Sequence, residues 1–174
     1  MAEERFTKAF SLSDTAVVLI DHQIGTCGWV HSIDASVLEK NVKILATFAT
    51  KMKMPLVLTS SMENNMQGLL LEVIQTVAPE AYAKRTKRQG IVNAWMDENF
   101  AEAVRATGKK NLIVAGVTAD VCLVPPAMSM QGEGFLIKCV LDAGGSPTET
   151  VEKVAWERLK QAGIPVTSNE CHRH

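Results

Sequence analysis

Short runs of β-branched and apolar residues alternate along the chain with longer segments whose apolar positions recur at helical spacing. That alternation is the pattern of a parallel sheet covered by helices. TAVVLID (Thr15 to Asp21) predicts a buried first strand, PLVLTSS (Pro55 to Ser61) a second, NLIVAGV (Asn111 to Val117) the clearest, and FLIKCVL (Phe135 to Leu141) a fourth. IPVTS near the C-terminus predicts a last short strand. Between them, Ala35 to Lys51 carries Val37, Leu38, Val42, Leu45 and Phe48 near helical spacing. A short helix is expected around Leu69 to Val77, followed by an extended basic segment, and DENFAEAVRATG predicts a helix closed by Gly108. CLVPPAMSMQGEG holds a helix if Pro125 and Pro126 fall in its first turn or kink it. The last helix carries full end signals: Ser146 as N-cap, Pro147 at the first position, Glu149 completing a capping box, and Gly163 beyond the end. No repeat, linker or low-complexity stretch interrupts the order, so residues 1–174 are expected to form one α/β domain.

In an open parallel sheet the ligand site lies outside the carboxyl ends of the strands. The rule points at Asp21, at Thr59 to Met62, at Val117 to Cys122 and at Asp142 to Ser146. Cys122 and Asp21 then share one edge.

Composition narrows the partners. Eighteen Lys and Arg stand against 19 Asp and Glu, with a net charge of −1 and no long block of either sign. Nothing in that balance suggests a nucleic acid or an anionic membrane, and a small molecule or another copy of the chain is the expected partner. The longest apolar runs are strand-sized, and MAEERFTKAF has no apolar signal core, so a cytoplasmic protein is expected. Cys27, Cys122, Cys139 and Cys171 show no CxxC pairing and read as free thiols.

The chemistry follows from position. Cys122 comes after a strand and a tight loop, and a helix beginning just beyond would favour its thiolate, the attacking form. A small buried hydrophobe is the other reading of a free cysteine, and position alone weighs the two evenly. Cys139, inside a strand, reads as core, whereas Cys27 and Cys171 fall in expected loops. Asp21, ending an apolar strand, suits a general base and then a general acid, or else a turn-forming carboxylate; Asp142 holds the analogous place. One cation of the run Lys84 to Arg88 turned inward would hold the carboxylate and stabilise the thiolate, and the sequence does not single it out. His22, His31, His172 and His174 lack metal-site spacing, with the last two expected in a tail. No GxGxxG or P-loop is present, so neither metal nor cofactor is expected.

VVLIDHQ, RQGIVNAW, AGVTADVC and LDAGGS, in this order, resemble the isochorismatase-like cysteine hydrolase superfamily over residues 13–168, and look most like its YcaC-like branch. The resemblance implies a three-layer α/β/α fold with Rossmann-like topology around a mostly parallel sheet of about six strands. It implies a triad in which Asp21 is the acid/base, Cys122 the nucleophile, and the basic member, seven residues before Trp95, is Arg88. Most members carry Lys at that point, and Lys87 is the alternative one residue away. It further implies a cis peptide at Val117–Thr118, an oxyanion hole of the Thr118 and Cys122 amides, and a pocket touched by Gln23 and Asn93. The metal-binding Asp and His set of the superfamily's nicotinamidases is missing. Isochorismatase proper works without a nucleophilic Cys, so Cys122 favours the amidase-type branch. The expected function is hydrolysis of a small amide or related C–N bond by a homo-oligomer, a tetramer or octamer. The alternative is a catalytically idle binding or scaffold member of the same fold.

Overall fold

The computed structural model describes residues 10–169; Cys171, His172 and His174 lie outside them. Six strands form one sheet in the order β3-β2-β1-β4-β5-β6, every pair parallel. They are β1 (Thr15–Ile20), β2 (Leu56–Ser61), β3 (Thr86–Arg88), β4 (Asn111–Gly116), β5 (Leu136–Val140) and β6 (Val166–Thr167). Every residue of β1 and β4 is buried, as strands covered on both faces must be.

Alternate side chains of these two strands feed two cores. Ala16, Val18, Leu112 and Val114 pack with Phe100, Ala101 and Val104 of α5 (Glu98–Arg105) and with Ala127 and Met130 of α6 (Val124–Gly132). Ala155 and Leu159 of α7 (Glu149–Gln161) close the same layer. Val17, Leu19, Ile113 and Ala115 face the other way, onto Leu38, Val42, Leu45 and Ala49 of α2 (Ala35–Lys51). Ile74 of α3 (Glu72–Val77) and Tyr82 of α4 (Pro79–Ala83) extend that second core. A five-residue helix, α1 (Ile24–Gly28), completes the set and bears on the site rather than on the layers. The result is the three-layer α/β/α arrangement expected from the sequence.

Several boundaries move. β1 stops at Ile20 because Asp21 turns into the left-handed region at φ +59°, which Asp tolerates better than most residues. Pro125 and Pro126 do fall in the first turn of α6. The start of α7 needs a correction: Thr148, not Ser146, is the N-cap, its hydroxyl accepting from the Val151 amide at 3.2 Å. Position N3 is then Val151, so Glu149 forms no capping box. Ser146 is instead fully buried, its carbonyl accepting from the His31 and Ser32 amides.

Candidate active site

The strands deliver their carboxyl ends to one cleft of about 370 Å³. Asp21, Arg88 and Cys122 all line it, brought together from the ends of β1, β3 and β4. Register explains the meeting: Ile20 pairs with Thr59 and with Gly116, and Ser61 pairs with Arg88, so the three strand ends lie side by side. The turn at Asp21 is held by its own amide, which donates to the Thr59 carbonyl at 3.0 Å.

Arg88 grips Asp21 with both arms of its guanidinium. Nη1 donates to Oδ1 at 2.8 Å and Nη2 to Oδ2 at 2.9 Å, in a pair whose side chains are 1 % and 4 % exposed. A planar fork matching a carboxylate is the strong form of this interaction, and its burial restricts screening by salt. Nη1 also donates to the Thr59 hydroxyl at 3.0 Å, which in turn donates to the Thr86 carbonyl at 2.9 Å. Thr59 thus fixes the guanidinium in rotation. Lys87 points away, 57 % exposed and 3.9 Å from Glu63, because neighbours on a strand face opposite sides.

Cys122 lies in a π-helical turn, Ala119–Leu123, just before α6. Burial pushes its thiol well above the ordinary range, and the charge and hydrogen bonding of Asp21 push the same way. Arg88 and the Thr118 backbone N–H pull down without prevailing. The direction runs against a thiolate favoured by a helix start: burial and Asp21 both favour the proton on sulfur. The Val117–Thr118 peptide is cis. Thr118 faces the sulfur, whereas the Cys122 amide donates to the Thr118 carbonyl at 2.7 Å and is engaged at rest.

Two expected pocket residues fare differently. Gln23 lines the cleft, but its amide nitrogen donates to the Ser61 carbonyl (2.9 Å) and the Gly68 carbonyl (2.5 Å), and its oxygen accepts from the Ser61 amide (2.8 Å). It braces the wall. Asn93 lies outside the lining and is corrected to a structural role, its oxygen capping the Ala94–Met96 turn and its nitrogen donating to Ser129 Oγ at 3.1 Å. Asp142 is likewise occupied, accepting from the Asn169 amide at 2.9 and 3.1 Å.

The cleft walls are Trp29, Met62, Ile91, Val92, Val121 and Pro147, with Thr26, Gln67 and Asp120 supplying polar groups. Sequence reasoning missed the walls and Thr59's hold on Arg88. The exposed apolar pair Ile91 and Val92, seated inside an otherwise polar loop beside Arg88, was the available signal. His22, next to Asp21, is fully buried and its ring is pushed down from 6.5 to about 4, chiefly by burial. Its Nε2 lies 2.7 Å from the Ala143 carbonyl, so that nitrogen carries the proton of a neutral ring. Among the described residues no group of three or more His, Cys, Asp or Glu is placed to hold a metal.

Residues 15–171 match the family model of the isochorismatase domain. The chain belongs to the isochorismatase-like hydrolase family. It is 40 % identical over 151 residues to the probable hydrolase YcaC of Escherichia coli strain K12, covering 87 % of this chain and 72 % of that protein. The solved structure of YcaC from Pseudomonas aeruginosa with hexane-2,5-diol and covalent acrylamide superposes with a TM-score of 0.91 at 36 % identity, covering 97 % of this chain and 85 % of that one. The Escherichia coli YcaC gene product, an octameric hydrolase of unknown specificity, superposes with a TM-score of 0.87 at 38 % identity over 93 % of this chain and 80 % of that one. Within this isochorismatase-like family the chain is therefore a YcaC-like hydrolase, and the specificity of that relative is itself unknown.

Proposed function

We propose that this chain is a cysteine hydrolase that cleaves a small amide or related C–N bond through Cys122, Asp21 and Arg88. The observation that carries the reading is the cleft itself, where a buried bidentate Arg88–Asp21 pair adjoins a partly buried thiol. Covalent acrylamide in the 36 % identical relative adds support, since acrylamide is an electrophile that thiols capture and is itself a small amide.

In the proposed cycle, the Cys122 sulfur attacks the substrate carbonyl carbon as its proton passes to Asp21. A carboxylate has lone pairs beyond the two that Arg88 occupies, so the clamp does not prevent it from accepting that proton. Arg88 orients Asp21 and does not itself exchange protons, a division of labour suited to a group that stays charged. The Thr118 amide receives the oxyanion; the Cys122 amide joins if its bond to the Thr118 carbonyl loosens. The C–N bond then breaks, Asp21 protonates the departing amine, and the same carboxylate activates the water that releases the acid from the thioester. A metal or cofactor has no part in this scheme.

We further infer a homo-oligomer, supported by the octameric relative and by exposed Met66, Met96, Val92 and Ile24 (79, 70, 63 and 60 %). The test of the catalytic reading is turnover of a panel of small amides, with trapping of a thioester on the Cys122 peptide. Cys122→Ser is expected to abolish both. Full activity in that variant would refute the triad, and a protein idle toward every amide and inert at Cys122 would favour a scaffold.

A further inference from the structure

Four of the residues around the cleft carry a buried polar side-chain atom with nothing to bond. Thr26 Oγ1, Gln67 Oε1, Asp120 Oδ1 and Arg88 Nε are all buried and unpartnered, and all four residues line this one cavity. Buried polar atoms are normally satisfied, so a concentration of exceptions marks the place where something else supplies the partners. Two of the four, Gln67 Oε1 and Asp120 Oδ1, are pure acceptors, and the Thr26 hydroxyl can accept as well. The one atom of the four that can only donate, Arg88 Nε, belongs to a guanidinium already paired with Asp21.

The charges point the same way. Asp21, Arg88 and Asp120 are the ionisable acid and base groups of the lining. The first two cancel. Asp120 has no ion pair among the described residues; Arg158 reaches only its main-chain carbonyl, at 3.5 Å. The cavity thus carries one uncompensated negative charge two residues from the nucleophile.

We infer that Asp120 is a specificity-determining residue that excludes carboxylate-bearing ligands, so that the cleft takes small neutral or cationic molecules presenting N–H groups to Asp120 and Gln67. A carboxylate bound in the cleft meets the like charge of Asp120 and leaves the acceptor oxygens unsatisfied. The apolar walls Trp29, Ile91, Val92 and Val121 accommodate the ligand's carbon body. This inference rests on the proposal that the cleft is the working site, but it concerns charge selection rather than the reaction.

Iodoacetamide and iodoacetate test it without a known substrate, being nearly equal in size and differing in one charge. Each forms an S–C bond at Cys122 and expels iodide, with the thiol proton passing to Asp21 or buffer. Rates at the Cys122 peptide are compared between the folded protein and the same chain unfolded in urea, which supplies the intrinsic preference. The folded protein is expected to disfavour iodoacetate at least tenfold beyond that reference. Asp120→Asn is expected to cut the discrimination at least threefold, and Asp120→Glu to keep it. An unchanged ratio on folding, or in Asp120→Asn, overturns the inference, as does failure of both reagents to reach Cys122. If matched neutral and anionic amides are turned over equally, charge selection falls while the hydrolase reading stands. If no amide is cleaved but the labelling order holds, the reverse is true.

Discussion

Arg88 grips Asp21 and His22 follows it in the chain, and each makes a prediction of its own. Arg88→Lys keeps a cation but replaces a two-pronged fork with a point charge that cannot hold both Asp21 oxygens and Thr59 together. If Asp21 is the proton carrier, this variant retains fold and site but loses turnover by about tenfold, read as kcat on whichever amide the panel identifies. His22 is buried as a neutral ring, with its value lowered from 6.5 to about 4. An unfolded chain binds a proton there more readily, so the contribution is intact above pH 6.5 and is lost as pH falls toward 4. The full difference amounts to about 3 kcal/mol. Urea unfolding of the wild type should therefore show a steeper stability loss between pH 6.5 and 4 than His22→Gln, which still offers a donor to the Ala143 carbonyl. Parallel curves for the two proteins would contradict the assignment.

At the scale of elements, the loops that close the cleft depend on backbone meeting backbone. A Cβ on Gly144 would lie 2.5 Å from the Gly116 carbonyl oxygen, where β4 ends and neither chain can yield cheaply. Gly144→Ala is expected to destabilise the protein by about 1–3 kcal/mol, measured from the urea midpoint. Gly25 meets the same constraint, its Cβ falling 1.8 Å from the Met66 carbonyl, which seats α1 against the segment carrying Gln67. These contacts also show what the sequence could and could not convey. Hydrophobic period located the strands and main helices because burial on both faces of β1 and β4 leaves a continuous apolar signature. Asp21 and Cys122 were legible as strand-end residues, and the ends of β1 and β4 do meet at one edge. The choice between Arg88 and Lys87 was not, since it turns on strand register one residue at a time. Ser146 misled for a related reason: Ser favours caps, but this one is held by Ser32, distant in sequence, while Asn93, expected in the pocket from the resemblance alone, has its amide turned to Ser129. The raised thiol of Cys122 was equally hidden, because burial and the charge of Asp21 exist only after folding.

For the whole molecule, the exposed apolar side chains of Met66, Met96, Val92 and Ile24 are those that assembly with further copies would cover. Sedimentation velocity is expected to show one species larger than a single chain, and a monomer at micromolar concentration would count against assembly. No helix among the described residues is long and apolar enough to cross a membrane.

The central claim is that Cys122 attacks as a thiol whose proton Asp21 takes, and the pH dependence of iodoacetamide alkylation at the Cys122 peptide tests it most directly in the wild type and Asp21→Asn. In the wild type the rate should still be rising above pH 9, because burial and Asp21 hold the proton on sulfur. In Asp21→Asn the carboxylate is gone while Arg88 remains, so the profile should move to lower pH even as amide turnover falls by about 10²-fold or more. A wild-type profile already complete below pH 8 and unchanged by Asp21→Asn would mean a preformed thiolate, and would remove Asp21 from the role given to it here.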